Sequence, residues 1–210
     1  LTTPSAIDLS ATLARIRDAG RKAAVLEVSS HALDQGRVAG LEFDVAVFTN
    51  LTGDHLDYHL TLDAYAQAKA QLFTTLPEAA IAIVNADDPW HARIPRDCPV
   101  AVTHGSRRPE TEPHDAIIPT ALSLRGIEAD VHTPTDRFSI ASPLVGQHNL
   151  MNLLQAVAVL DRLGYTPADI RRALASVGAP PGRLEPVRPS EASPSFSVFV
   201  DYAHTDDALE

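Results

Sequence analysis

The sequence predicts an α/β protein, a mostly parallel sheet flanked by helices with a small antiparallel β region. Three observations carry this. Short apolar runs of buried-strand type recur at residues 23–28, 44–50 and 80–85. Stretches with helical apolar spacing accompany them, and strands separated by helices imply a parallel sheet covered on both faces. Residues 104–146 break the alternation with several prolines and short β-type runs.

Each element has its own local reason. Ile7, Leu9, Leu13 and Ile16 space a helix over residues 5–19, ended by Gly20. Residues 62–76 read as a helix stopped by Pro77. The runs at 121–124, 129–132 and 137–140 suggest the antiparallel strands. A long helix is expected over 147–163, ended by Gly164, and Pro167 suits the first position of a helix reaching about 177. Ala179-Pro180-Pro181-Gly182 reads as a domain boundary, which gives domains at 1–179 and 180–210. Beyond it come strand-like residues 184–187, a Ser/Pro-rich loop over 189–195 and a strand over 196–200. About thirty residues are too few for an independent core, so they read as the opening of a second domain.

Composition bounds the function. The chain has 210 residues, 45% of them hydrophobic, and a formal net charge of −10. That suits a globular chain with a core and argues against a general nucleic-acid or membrane-surface binder. Cys98 is the sole cysteine, so no internal disulfide can form, and a bystander thiol is the expected role. No run approaches a membrane span and no signal peptide opens the chain. The opening Leu1-Thr2-Thr3-Pro4 reads as a cut within a longer protein.

Ligands of open α/β sheets gather outside the carboxyl ends of the strands. Polar clusters follow each apolar run here: Glu27-Val28-Ser29-Ser30-His31, then Thr49-Asn50 through Asp54-His55-Leu56-Asp57-Tyr58-His59, then Asn85-Ala86-Asp87-Asp88. The first two are rich in oxygen and imidazole groups, which suit Mg²⁺ shared with phosphate. Plainer readings stand beside this. Ser29 and Ser30 could cap a helix, as could Asp87 or Asp88 for one beginning near Pro89. His55 and His59, four apart, lack a second ligand pair for zinc. Lys69, in an alanine-rich helical stretch, could be a solvated surface lysine.

At this point the residues resemble the Mur ligases. The blocks that carry the resemblance are Leu26-Glu27-Val28-Ser29-Ser30-His31-Ala32-Leu33-Asp34-Gln35-Gly36-Arg37, Asp54 to His59, Tyr65-Ala66-Gln67-Ala68-Lys69, and Asn85 to Asp88. Gly146-Gln147-His148-Asn149-Leu150-Met151-Asn152, Pro181-Gly182-Arg183-Leu184-Glu185 and Asp201-Tyr202-Ala203-His204-Thr205 continue it. Residues 104–140 carry little of it. The Glu-Val-Ser-Ser-His-Ala-Leu form is similar to the UDP-N-acetylmuramoyl-tripeptide synthetase branch. One departure is Asp206, where the family has proline.

The resemblance implies an ATP-dependent carboxylate–amine ligase of peptidoglycan synthesis, cytoplasmic and monomeric, without nucleic-acid or membrane partners. Through cell-wall building it would serve cell shape and division. The chain would hold most of a P-loop-type central domain, lacking its phosphate-binding loop, and the first strands of a Rossmann-like last domain. It would therefore be inactive alone. ATP would phosphorylate the free carboxylate of a UDP-muramoyl dipeptide, and an amino acid, diaminopimelate or lysine, would displace the phosphate. By similarity Glu27 and His55 are Mg²⁺ ligands, and Lys69 is both the carbamylated catalytic lysine and a metal support. Thr2, Thr3, Ser29, Gln35 and Arg37 would bind the dipeptide substrate. His148, Asn149, Asn152, Arg183 and Asp201 would bind ATP, with His204 catalytic. For Asn149, helix capping remains the competing reading. A folylpolyglutamate- or cyanophycin-type ligase and a non-catalytic nucleotide-binding module are the alternatives.

Overall fold

A computed structural model describes residues 2–53, 55–187 and 196–203. Six strands form one sheet in chain order: β1 (Val45–Phe48), β2 (Ile81–Asn85), β3 (Val102–Ser106), β4 (Asp115–Ser123), β5 (Gly126–His132) and β6 (Arg137–Ser142). The expected α/β architecture, a mostly parallel sheet with helices, is present. β3 and β4 run parallel, with Gly105 opposite Asp115, whereas β4, β5 and β6 form an antiparallel meander. The antiparallel region thus belongs to the same sheet. Two further strands, β7 (Glu185–Val187) and β8 (Val198–Val200), pair antiparallel.

The chain divides into two compact units. The first comprises Leu1–Ala46, His55–Ala82 and Ala92–Ala101, the second Val47–Asp54, Ile83–His91 and Val102–Glu210.

The first unit holds α1 (Ala6–Asp18), α2 (Ser30–Asp34), α3 (Leu56–His59) and α4 (Leu62–Thr74). Side-chain caps start three of them. Ser5 accepts from the Asp8 amide, Ser29 from Ala32 and Thr61 from Ala64. Leu9, Leu33 and Val38 form a small core, with Leu13, Leu26, Phe43 and Leu72 packed against it.

Residues 23–28 are not a strand. A strand exists only where a neighbour completes its hydrogen-bond ladder, and this run has none among the described residues. Val25 is fully exposed. The end of the run is held by a side chain instead. Thr3 Oγ1 donates to the Glu27 carbonyl at 2.9 Å and accepts from the Ser29 amide at 3.0 Å.

The second unit is built around α5 (Gln147–Arg162) and α6 (Pro167–Ser176) on the sheet. Ile127, Ala129 and Val131 alternate inward along β5 against Leu150, Leu153, Leu154 and Val157 of α5. Each fully buried Leu or Ile side chain stabilises by roughly 1.5–3 kcal/mol. Pro167 occupies the first turn of α6 behind the Thr166 cap, as its spacing predicts. No helix forms at Pro89. Asp88 instead accepts from the amides of Leu51 at 2.9 Å and Trp90 at 2.8 Å, closing turns there.

Candidate functional site

In the first unit the chain brings most of the residues singled out for substrate and metal into one network. Arg37 Nη1 donates to the Thr3 carbonyl at 2.9 Å. Its Nε and Nη2 both donate to Gln35 Oε1, at 2.9 and 2.6 Å. The Gln35 amide meets the Tyr58 hydroxyl at 3.3 Å, and that hydroxyl donates to Asp34 at 2.7 Å. Ser29, which caps α2, is tied to Thr3. Thr2 is exposed beside Thr3.

His55 precedes α3 in a left-handed conformation, φ 61°, and Leu60 follows it at φ 66°. Such non-glycine residues cost local free energy and cluster at functional sites. The His55 ring stands 5.0 Å from the His31 ring and 5.8 Å from Tyr65. Lys69 follows Tyr65 by one turn of α4, with Nζ 5.1 Å from the Tyr65 ring centre. Lys69 is half-buried, unlike a freely solvated surface lysine. Ser30, Asp34, Tyr58, His59 and Tyr65 are not among the residues assigned to substrate, ATP or metal from the sequence, yet all join this network. The four-residue step from His55 to His59 was the available signal, since it spans one helical turn.

Glu27 is exposed, and its carbonyl, not its carboxylate, takes the Thr3 bond. Among the described residues no three acidic, imidazole or thiol groups converge on one point. The donor set offered is the Glu27 carboxylate and the His55 imidazole. The carboxylate suits Mg²⁺, which is held by one or two carboxylates and otherwise by water and phosphate oxygens, and the imidazole would reach such an ion through a bound water.

Burial lowers the basicity of His59; neighbouring His31 lowers it further, Asp34 opposes, and His55 and Lys69 add to the lowering. Its ring is therefore biased toward neutral imidazole.

The second unit gathers the residues expected near ATP. Gly146 opens α5 at φ 89°, where a Cβ would strike the His148 ring and Leu184. Asn149 Nδ2 donates to the Val145 carbonyl at 2.7 Å, and Asn152 Nδ2 to Asn149 Oδ1 at 3.1 Å. Part of the Asn149 side chain thus serves the helix start. Asp201 accepts from the amides of Ala203 and Leu184, both at 2.7 Å. Those two bonds hold its carboxyl below the ordinary range, overcoming a desolvation cost, with Arg183 and His148 adding attraction. The Arg183 guanidinium lies 5.6 Å from the Tyr202 ring. His204 and Asp206 lie outside the described residues.

The third polar cluster, after β2, is occupied structurally. Asp87 accepts from Ser106 Oγ at 2.5 Å and Arg107 Nε at 2.8 Å, and Asn85 donates to the Thr49 carbonyl at 2.8 Å. Burial would raise the Asp87 carboxyl, but the Ser106 and Arg107 donors outweigh it and lower it.

Residues 1–160 match the Mur ligase middle domain. The chain belongs to the Mur ligase family. A relative named UDP-N-acetylmuramoyl-L-alanyl-D-glutamate–2,6-diaminopimelate ligase, from Synechococcus elongatus, is 47% identical over 216 residues, covering 100% of this chain and 41% of its own. A solved structure of a Mur ligase with the same enzyme name superposes with a TM-score of 0.83 at 33% identity, covering 99% of this chain and 42% of that one. A more distant Mur ligase, MurF from Thermotoga maritima in complex with ADP, shares the fold at TM-score 0.63 and 21% identity over 77% of this chain and 36% of its own. The chain spans about two fifths of the length of the curated relatives it matches. Among the described residues no helix is long and apolar enough to cross a membrane.

Proposed function

We propose that this chain is part of a cytoplasmic, ATP-dependent ligase that adds diaminopimelate to UDP-N-acetylmuramoyl-L-alanyl-D-glutamate, the third amino acid of the peptidoglycan stem. Residues 1–179 belong to the central ATP-using domain and 180–210 open the last domain. The network of Thr3, Ser29, Gln35 and Arg37 beside His55 and Lys69 is the observation that carries this reading. The names of the relatives supply the substrate class and the amine.

The reaction has two steps. A carboxylate oxygen of the acceptor attacks the γ-phosphorus of ATP, ADP leaves, and an acyl phosphate forms. The amine of the amino acid then attacks the acyl carbon, phosphate leaves, and the nitrogen loses a proton as the amide closes. The chain's own groups position the acceptor for this. Three of the five N–H donors of Arg37 are held by Thr3 and Gln35, which fixes the guanidinium plane. The remaining donors can pair with an acceptor oxygen. Thr3, buried, spends its hydroxyl on the Glu27 carbonyl and the Ser29 amide, and so serves the acceptor by fixing Ser29 beside it. Glu27 and His55 would hold Mg²⁺, with a carbamylated Lys69 supporting a second ion; the metal neutralises the charge of two anions brought together. By resemblance to the family, His148, Asn149, Asn152, Arg183 and Asp201 would bind ATP and His204 would be catalytic. The enzyme acts as a monomer.

The test uses the full-length protein with ATP, Mg²⁺ and UDP-muramoyl dipeptide. Mass spectrometry should show tripeptide product with diaminopimelate and stoichiometric ADP. Glutamylation of a folate acceptor, or no amide with any amine, would overturn the reading.

A further inference from the structure

One buried histidine of the first unit has no task in the ligase reading. His59 is buried, at 8% exposed, and its Nε2 lies 2.9 Å from the Ser30 hydroxyl, itself 1% exposed. Its ring stacks on Tyr65 at 5.1 Å and 13°, and the Tyr58 ring meets it edge-on at 4.8 Å. Its carbonyl accepts from the Thr61 amide at 2.8 Å, and Thr61 caps α4.

These contacts reach three elements at once. Ser30 is the first residue of α2, next to the Ser29 cap. Tyr65 lies on α4 one turn before Lys69, whose ammonium is 5.1 Å from the Tyr65 ring. His59 itself ends α3, the short helix that His55 opens. The imidazole is therefore a wedge with a polar tip toward α2 and a flat face toward α4. Moving it would release the Ser30 hydroxyl and the Tyr65 ring together.

We propose that His59 is a positioning residue for the acceptor side of the site: through Ser30 and Tyr65 it sets where Ser29 and Lys69 stand. This rests on the ligase reading above. The role is geometric and needs no proton transfer by His59. Misplacement of a substrate-holding group by a fraction of an ångström is enough to weaken both binding and turnover.

The experiment compares His59→Phe, His59→Gln, Ser30→Ala and the Phe/Ala double variant in the full-length ligase. Phe keeps the ring and loses the bond, whereas Gln keeps a hydrogen-bonding group at the Nε2 position. The expected result is an acceptor KM raised roughly five- to tenfold in Phe and in Ala, with the ATP KM unchanged and Gln within about threefold of wild type. The double variant should be no worse than either single one, because both remove the same bond. Loss of active fraction alone would lower kcat and leave each KM in place, and that outcome would overturn the proposal. So would additive losses, or a Phe variant with wild-type kinetics. Should Phe fail to fold, the Ala and Gln variants decide by the same KM comparison. A wild-type protein that forms no amide sinks the ligase reading itself; a wild-type ligase indifferent to these changes sinks only the role of His59.

Discussion

Gln155 of α5 donates from Nε2 to the backbone carbonyl of Phe48, 107 residues earlier, at 2.6 Å. The pair is buried, and it fixes the last residue of β1 against the long helix. Among the described residues Gln155 Oε1 is buried without a partner, so the side chain is retained at some cost. Replacing it by leucine removes the donor and leaves the Phe48 carbonyl to find another. Gln155→Leu should destabilise by about 1–3 kcal/mol, read as a lower denaturant midpoint with an unchanged slope.

Asp115 pairs with Arg162 at 2.8 Å; the carboxylate is fully buried and the guanidinium 18% exposed. Both carboxylate oxygens face the guanidinium, Oδ1 at 3.0 Å from Nη1 and Oδ2 at 2.8 Å from Nη2. Burial raises the Asp115 carboxyl above its usual range despite the pull of Arg162. Asp115→Ala would leave Arg162 only the longer 3.3 Å pairing with Asp161, costing about 2–4 kcal/mol. Asp115→Ala combined with Arg162→Leu should recover much of that loss in chemical denaturation.

The His104 and His114 rings stack at 5.6 Å, with His91 at 6.0 Å from His104. The His104 amide donates to His114 Nδ1 at 3.1 Å, which requires that nitrogen to be unprotonated. Burial first, then His114 and His91, lower the His104 pKa. The unfolded chain therefore binds more protons than the native one just below the ordinary imidazole pKa of about 6.5. The contribution to stability is present above that pH and is lost as pH falls through the lower folded value. Thermal melts between pH 7.5 and 5 should show falling stability, and His104→Phe, which keeps the stack, should flatten the slope.

Lys69→Ala tests the ligase chemistry most directly. With the carbamylated Lys69 needed to support a second metal ion, kcat of the full-length enzyme should fall on the order of 100-fold or more, with the fold intact. Ligation at wild-type rate would favour a nucleotide-binding module without catalysis.

Sequence alone determined much of this molecule. The spacing of Leu9 and Leu13, the Thr166-Pro167 start and the apolar faces of α5 fixed helices within a residue or two, because helix signals are local. It also named the polar residues that cluster in the first unit, since Glu27, Ser29, Arg37, His55 and Lys69 stand in recognisable blocks. Tertiary structure decided whatever depends on a partner distant in the chain. The run 23–28 has the composition of a strand but no ladder here, because pairing is non-local. The meander of β4 to β6 joins the main sheet through the β3–β4 contact, which no local pattern announces. Asp87 and Asp88 have the look of ligand groups, and only their contacts with Ser106, Arg107 and Leu51 show them committed to holding turns. His59 differs from any other histidine only by the Ser30 hydroxyl and Tyr65 face that folding brings to it.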